Sequence, residues 1–134
     1  MAQLIDSSVF IGLERRRVSP DEFFSAYRDD VALAAVTASE LLVGVYRAGA
    51  PEQRVRREAA VEDVLAAFPV LSFDLNAARV HARLAAEMSA SGQLIGSHDL
   101  LIAATALANG YDVLTTNVRD FSRVPGLVVR EPDW

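Results

Sequence analysis

Residues 97–117 read SHDLLIAATALANGYDVLTTN, and this stretch decides the fold. Leu100, Leu101, Ile102, Ala103, Ala104, Ala106, Leu107 and Ala108 leave almost no polar face, so a helix over Ser97–Asn109 must be covered nearly all round. Gly110 suits the left-handed conformation that closes helices. Val113–Thr115 then reads as a short strand. A buried helix that feeds a strand belongs in a layered protein, and the same alternation runs through the chain. Ala2–Ile5 and the continuous apolar run Val31–Val36 predict strands, as do Val70–Phe73 and Leu127–Arg130. Between them lie predicted helices over Ser7–Glu14, Pro20–Arg28, Thr37–Arg47 and Glu52–Ala67, and one that Asp74 caps and that runs to about Ser89. Val55, Ala59, Val61, Val64, Leu65 and Phe68 give the Glu52–Ala67 helix an apolar stripe. The expected class is α/β, a three-layer αβα sandwich with a mostly parallel central sheet of 4–5 strands.

The 134 residues are 51 % hydrophobic and 23 % charged, which excludes a disordered chain and predicts a single domain over residues 1–134. There is no cysteine, hence no disulfide scaffold, thiolate metal site or cysteine nucleophile. No apolar run reaches the ~18–20 residues of a membrane span. The start, Met1-Ala2-Gln3-Leu4-Ile5-Asp6, has no basic region ahead of an apolar one, so a cytoplasmic location is expected. The 13 basic residues are all Arg and face 18 acids, a net charge of −5. That balance argues against a broad basic surface, and leaves room for a local site where a cation neutralises clustered carboxylates.

In a parallel sheet, ligands bind beyond the carboxyl ends of the strands. Asp6 follows the first strand, Thr37-Ala38-Ser39-Glu40 the second, and Thr115-Thr116-Asn117-Val118-Arg119-Asp120 the fourth, while Asp99 opens the buried helix. Each acid also has a local reading. Thr37 and Glu40 have the spacing of a capping box, Ser97 and Asp99 could cap and complement a helix dipole, and Asp6 could cap the first helix. Acids converging at one sheet edge repel strongly unless a cation sits among them. Carboxylates are hard oxygen ligands that suit Mg²⁺ or Mn²⁺. Such an ion activates water and stabilises charge on a phosphodiester, the chemistry of a metal-dependent nuclease or phosphatase.

The segments Asp6-Ser7-Ser8-Val9-Phe10-Ile11, Thr37-Ala38-Ser39-Glu40-Leu41, Ser97–Ala104 and Thr115–Phe121, in that order, resemble the PIN-domain ribonucleases, and most of all the toxin halves of VapBC-type toxin–antitoxin pairs. The resemblance covers essentially the whole chain. It implies a PIN-like sandwich and a Mg²⁺- or Mn²⁺-dependent endoribonuclease. Asp6, Glu40 and Asp99 fall on the family's metal-binding acids, with Ser8 as the neighbouring hydroxyl. The family's fourth position, often Asp, is Asn117 here, with Asp120 three residues on as the possible replacement. Thr116 supports this corner, and Arg119 is placed to meet a substrate phosphate. The resemblance also implies a homodimer and a VapB-type antitoxin that lays a segment across an apolar groove toward the acids, in a higher hetero-oligomer. The RNA could be tRNA, rRNA or mRNA. Two other readings stay open: a catalytically weak PIN-fold module that binds RNA or protein, motivated by the uncharged Asn117, and a metal-dependent phosphatase or DNA nuclease using the same acids.

Arg15-Arg16-Arg17 and Arg54, Arg56 and Arg57 could meet RNA phosphates or pair with Glu14, Glu52, Glu58 and Glu62. His81 reads as a surface residue, and His98 should point away from its neighbour Asp99 on the helix. Phe23, Phe24, Tyr27, Leu41, Leu42 and Val45 are core residues or the lining of a partner groove, and Trp134 is docked or a dimer contact.

Overall fold

The computed structural model describes residues 2–27 and 30–134. The strand Ala2–Ile5 (β1) leads to the helices Ser7–Arg16 (α1) and Pro20–Phe24 (α2). Strand Asp30–Ala34 (β2) follows, then helices Ala35–Tyr46 (α3) and Pro51–Ala67 (α4) and strand Val70–Leu71 (β3). Helices Leu75–Ala90 (α5) and Ser97–Asn109 (α6), strand Asp112–Leu114 (β4), helix Val118–Phe121 (α7) and strand Val129–Arg130 (β5) complete the order. All pairings are parallel, in the spatial order β3-β2-β1-β4-β5. This is the expected three-layer αβα architecture.

Strand alternation sorts the core into two faces. Leu4, Ala32, Ala34 and Val113 point to one side, where they pack with Leu84, Met88, Ile102, Ala103 and Phe121 from α5, α6 and α7. Ile5, Leu33 and Leu114 point to the other, among Val9, Phe10, Leu13, Phe24, Val64 and Phe68 from α1, α2 and α4 and its end. The residues Phe24 and Val45 are buried, and Phe23, Tyr27 and Leu41 pack against the second face, so these apolar groups serve the core. Trp134 is docked on α1: a Cβ at Gly12 would collide with its ring, and Arg16 covers the ring at 4.0 Å.

Several boundaries differ from the sequence reading. The apolar run expected as one strand over Val31–Val36 splits after Ala34, and Ala35 and Val36 open α3. A short apolar run has the same pattern in a buried strand and a buried helix start. The helix predicted over Pro20–Arg28 begins as expected, with Ser19 accepting from the Glu22 N–H, but stops at Phe24. There the Ser25 hydroxyl donates to the Glu22 carbonyl and competes with further helix; Arg28 lies outside the described residues. β3 and β5 are two residues each rather than four, since Leu127 is held in a turn by Val124. Val55 in α4 is 68 % exposed, so the buried stripe narrows to Val61, Val64 and Phe68. The limits Ser97–Asn109 and the Gly110 cap (φ 71°) are as predicted. No helix among the described residues is long and apolar enough to cross a membrane.

Candidate active site

β1 is the central strand, between β2 and β4; the chain leaves the carboxyl end of β1 toward β2 on one side, and leaves the carboxyl end of β4 toward β5 on the other. The connections diverge beyond the carboxyl ends of these strands, which opens a crevice there. Asp6 stands at its floor. Its backbone N–H still donates to the Leu114 carbonyl at 2.9 Å, and the residue is only 4 % exposed. A carboxylate this buried needs donors. Ser8 Oγ and Thr115 Oγ1 both donate to Asp6 Oδ2 at 2.8 Å. Each hydroxyl is itself held by a backbone donor, Ser8 Oγ by the Thr116 N–H at 3.1 Å and Thr115 Oγ1 by the Asn117 N–H at 2.9 Å. Those incoming donors leave the hydroxyl protons for Asp6. Among the described residues no donor reaches Oδ1, which is the oxygen left for a ligand. Asp6 occupies the position before α1 but makes no side-chain cap bond, so the capping reading gives way to this clamp.

Asp99 lies in the first turn of α6. The helix start is Gly96, with no side-chain cap bond, so Ser97 is not the cap expected. Burial first, then the charges of Asp6, Glu40 and Asp120, push the Asp99 carboxyl up from an ordinary 3.8 to about 6, against a hydrogen bond from Asn117. Asn117 Nδ2 donates to Asp99 Oδ2 and to Asp120 Oδ2, both at 3.2 Å. The uncharged residue at the fourth position therefore holds two carboxylates together, and Asp120 restores negative charge beside it.

Glu40 arrives from α3. Because α3 begins at Ala35, Glu40 is in its second turn and Thr37 is buried without a partner, so the capping box does not form. Glu40 turns instead toward Ser7, whose Oγ donates to Oε1 at 3.3 Å, and toward His98, whose Nδ1 stands 3.5 Å from Oε2. His98 was expected to point away from its neighbour Asp99. It points away from Asp99, yet α3 fills the angle on that side and brings Glu40 to it.

The site residues thus form three linked groups: Asp6 with Ser8 and Thr115, Asp99 with Asn117 and Asp120, and Glu40 with Ser7 and His98. Thr115, Ser7 and His98 escaped the sequence reading as site residues. The signal for Thr115 was its place directly after β4, next to the strand that carries Asp6. Thr116 contributes its backbone N–H, with its side chain exposed. Arg119 is exposed on α7, and none of the described hydrogen bonds at the site includes it. A cavity of about 630 Å³ opens beside Glu40, lined in part by Ser7, Ile11, Arg15, Arg47 and His98. Arg57 is bound to the Gly44 carbonyl at 3.1 Å and to Glu14 at 3.3 Å, so it is a strut between α4, α3 and α1. Arg54 lies over Tyr46 at 5.0 Å.

Among the described residues, no three carboxylates or imidazoles stand as a closed coordination set. The donors present are nonetheless those a hard divalent cation takes. Mg²⁺ is commonly held by one or two carboxylates, with water and substrate phosphate completing its shell. Oδ1 of Asp6 and the repelled carboxylate of Asp99 fit that chemistry.

Residues 4–127 match the PIN domain family. The chain is 36 % identical over 129 residues to ribonuclease VapC1 of Rickettsia felis, covering 96 % of this chain and 95 % of that one. It is 33 % identical over 113 residues to the tRNA(fMet)-specific endonuclease VapC of Salmonella typhimurium, covering 84 % and 82 %. A chain in the crystal structure of DNA-bound VapBC from Salmonella typhimurium superposes with a TM-score of 0.88 over 99 % of both chains, at 28 % identity. A chain in the FitAcB crystal structure from Neisseria gonorrhoeae superposes at 0.80 over 97 % of both, at 29 % identity.

Proposed function

The chain belongs to the PIN domain family, and from that membership we propose that it is a divalent-metal-dependent endoribonuclease, the toxin of a toxin–antitoxin pair. The observation that carries the reading is at the switch point of the sheet: the hydroxyls of Ser8 and Thr115 hold Asp6, and Asn117, whose N–H donates to that same Thr115 hydroxyl, holds Asp99 and Asp120 with its amide. The names of its relatives supply the substrate class, RNA, and the kind of partner, a VapB-type antitoxin. A single domain over residues 1–134, a homodimer and a cytoplasmic location belong to the same proposal.

In this reading Asp6 and Asp99 hold Mg²⁺ or Mn²⁺, and Glu40 holds the ion or the attacking water. When bound, the ion supplies positive charge beside the scissile phosphate and makes water a better nucleophile. The chain's own residues set the geometry. Ser8 and Thr115 fix the Asp6 carboxylate through Oδ2 and leave Oδ1 for a ligand. Asn117 fixes Asp99 relative to Asp120. Glu40, at the mouth of the cavity, orients water toward phosphorus, and the products carry 5′-phosphate and 3′-hydroxyl ends. Arg119 is the exposed cation nearest in sequence to this corner and is assigned a phosphate contact.

The uncharged Asn117 motivated the alternative of a weak binding module. Asp120, 3.2 Å from its amide, supports the catalytic reading instead, because the negative charge at the fourth position is kept. The test is incubation of purified protein with total RNA in Mn²⁺, Mg²⁺ or EDTA, beside Asp6→Ala and Asp99→Ala. Discrete fragments that need the metal and vanish in both variants are expected. Equal cleavage by Asp99→Ala would overturn the site. Parallel single-stranded DNA and p-nitrophenyl phosphate separate a ribonuclease from a DNA nuclease or phosphatase.

A further inference from the structure

Glu40 and His98 come from different helices, 58 positions apart in sequence, and meet at the mouth of the 630 Å³ cavity. The Glu40 carboxylate is held on one side only by a hydrogen bond of 3.3 Å from Ser7. Its other oxygen faces His98 Nδ1 at 3.5 Å, just beyond a full hydrogen bond. The His98 side chain is 56 % exposed and that of Glu40 31 %, so neither is locked by packing. Contacts of this kind in free enzymes are often long and tighten when the site fills. A neutral imidazole with its proton on Nδ1 suffices as donor, so no change of charge is needed.

We propose that His98 is a positioning residue: its Nδ1–H fixes the second oxygen of Glu40, and with Ser7 it sets the direction in which that carboxylate meets water or a cation. The kinetic consequence rests on the nuclease reading above; the contact itself does not. Partners that orient a ligating carboxylate typically change activity or metal affinity by about 10–100-fold when removed. The role is also specific to one ring nitrogen. Asn places an amide N–H close to where Nδ1 stands, whereas Gln reaches toward the place of Nε2.

Two measurements on the whole protein decide it. The first needs neither RNA nor metal. The chain has two histidines, so ¹⁵N NMR at pH 8 resolves each ring and His81 serves as control. His98 is expected as the Nδ1–H tautomer, with signals that move in Glu40→Ala while those of His81 stay. An Nε2–H tautomer indifferent to Glu40→Ala would overturn the proposal. The second is single-turnover and steady-state cleavage with Mn²⁺. His98→Ala and His98→Gln are expected to lower kcat about tenfold with KM within about twofold, while His98→Asn keeps most of the rate. In a Glu40→Gln background the same His98→Ala change should cost nothing more. Equal losses in His98→Ala and His98→Asn, or a loss confined to KM, would also overturn it. If wild type cleaves no RNA, the nuclease reading fails and the tautomer still decides the contact.

Discussion

Asp6 and Asp99 are the same residue type at the same sheet edge, and the fold treats their charges in opposite ways. Asp6 is buried at the end of the central strand and satisfied, with two hydroxyl protons on one oxygen and backbone N–H groups behind each hydroxyl. Asp99 is only partly buried, receives one amide, and is left facing the charges of Asp6, Glu40 and Asp120. One region stabilises a carboxylate with protein dipoles; the other keeps one in a state that a cation relieves. A site can thus be pre-organised on one side and unsettled on the other, and in the metal-dependent reading proposed above it is the unsettled side that favours an ion.

The largest effect is on activity, where the two acids should look alike. Asp6→Asn and Asp99→Asn are each expected to slow RNA cleavage at least about a hundredfold, read with a fluorescent RNA in Mn²⁺, because in the proposed reading each removes a charge that would hold the ion. Stability should then separate them. In EDTA at pH 7.5, Thr115→Val is expected to cost about 2 kcal/mol by urea unfolding, since it strips a donor from buried Asp6 and leaves the Asn117 N–H without its acceptor. Asp99→Asn should do the reverse and stabilise the metal-free protein. An equal loss in both variants would break the contrast between the regions.

The pH dependence sharpens the same point. The folded protein holds the Asp99 proton with a pKa of about 6, against an ordinary 3.8, so it binds that proton more tightly than the unfolded chain. The stabilisation is complete below about 3.8 and is lost as pH rises through about 6. Two units correspond to about 3 kcal/mol, and solvent screening of a half-exposed group cuts this to roughly 1.5 kcal/mol. Thermal unfolding in EDTA should show this fall as pH rises from 3.8 through about 6, and Asp99→Asn should flatten it. The smallest effect is that of Asn117→Asp. A third carboxylate beside Asp99 and Asp120 should lower metal-free stability by about 1 kcal/mol, and Mn²⁺ should recover it.

The part of this contrast legible in sequence was the identity of the acids, not their treatment. The extent of α6 was plain because the segment is apolar nearly all round and ends in Gly110, whose left-handed conformation closes it, although the start carries no side-chain cap. The order of strands and helices then followed. The start of α3 was not legible, since VALAAV fits a strand and a helix start equally well. That single boundary is what made a capping box look possible as the local alternative for Glu40. The partner of His98 escaped for a related reason: helical spacing tells which residues on one helix share a face, and says nothing of a second helix that comes alongside. The Thr115–Asp6 bond spans 109 positions, and no local pattern carries it.

That span also has a kinetic consequence. The central strand is built from Ala2–Ile5, yet its partner on one flank is Asp112–Leu114, so the middle of the sheet cannot close until nearly the whole chain has been gathered. Closing so long a loop before any contact rewards it makes such pairings late in folding. Asp6 receives Thr115 only at that step. Partly folded chains therefore lack the clamp, and in refolding experiments cutting power should return with the final phase rather than in proportion to helix content.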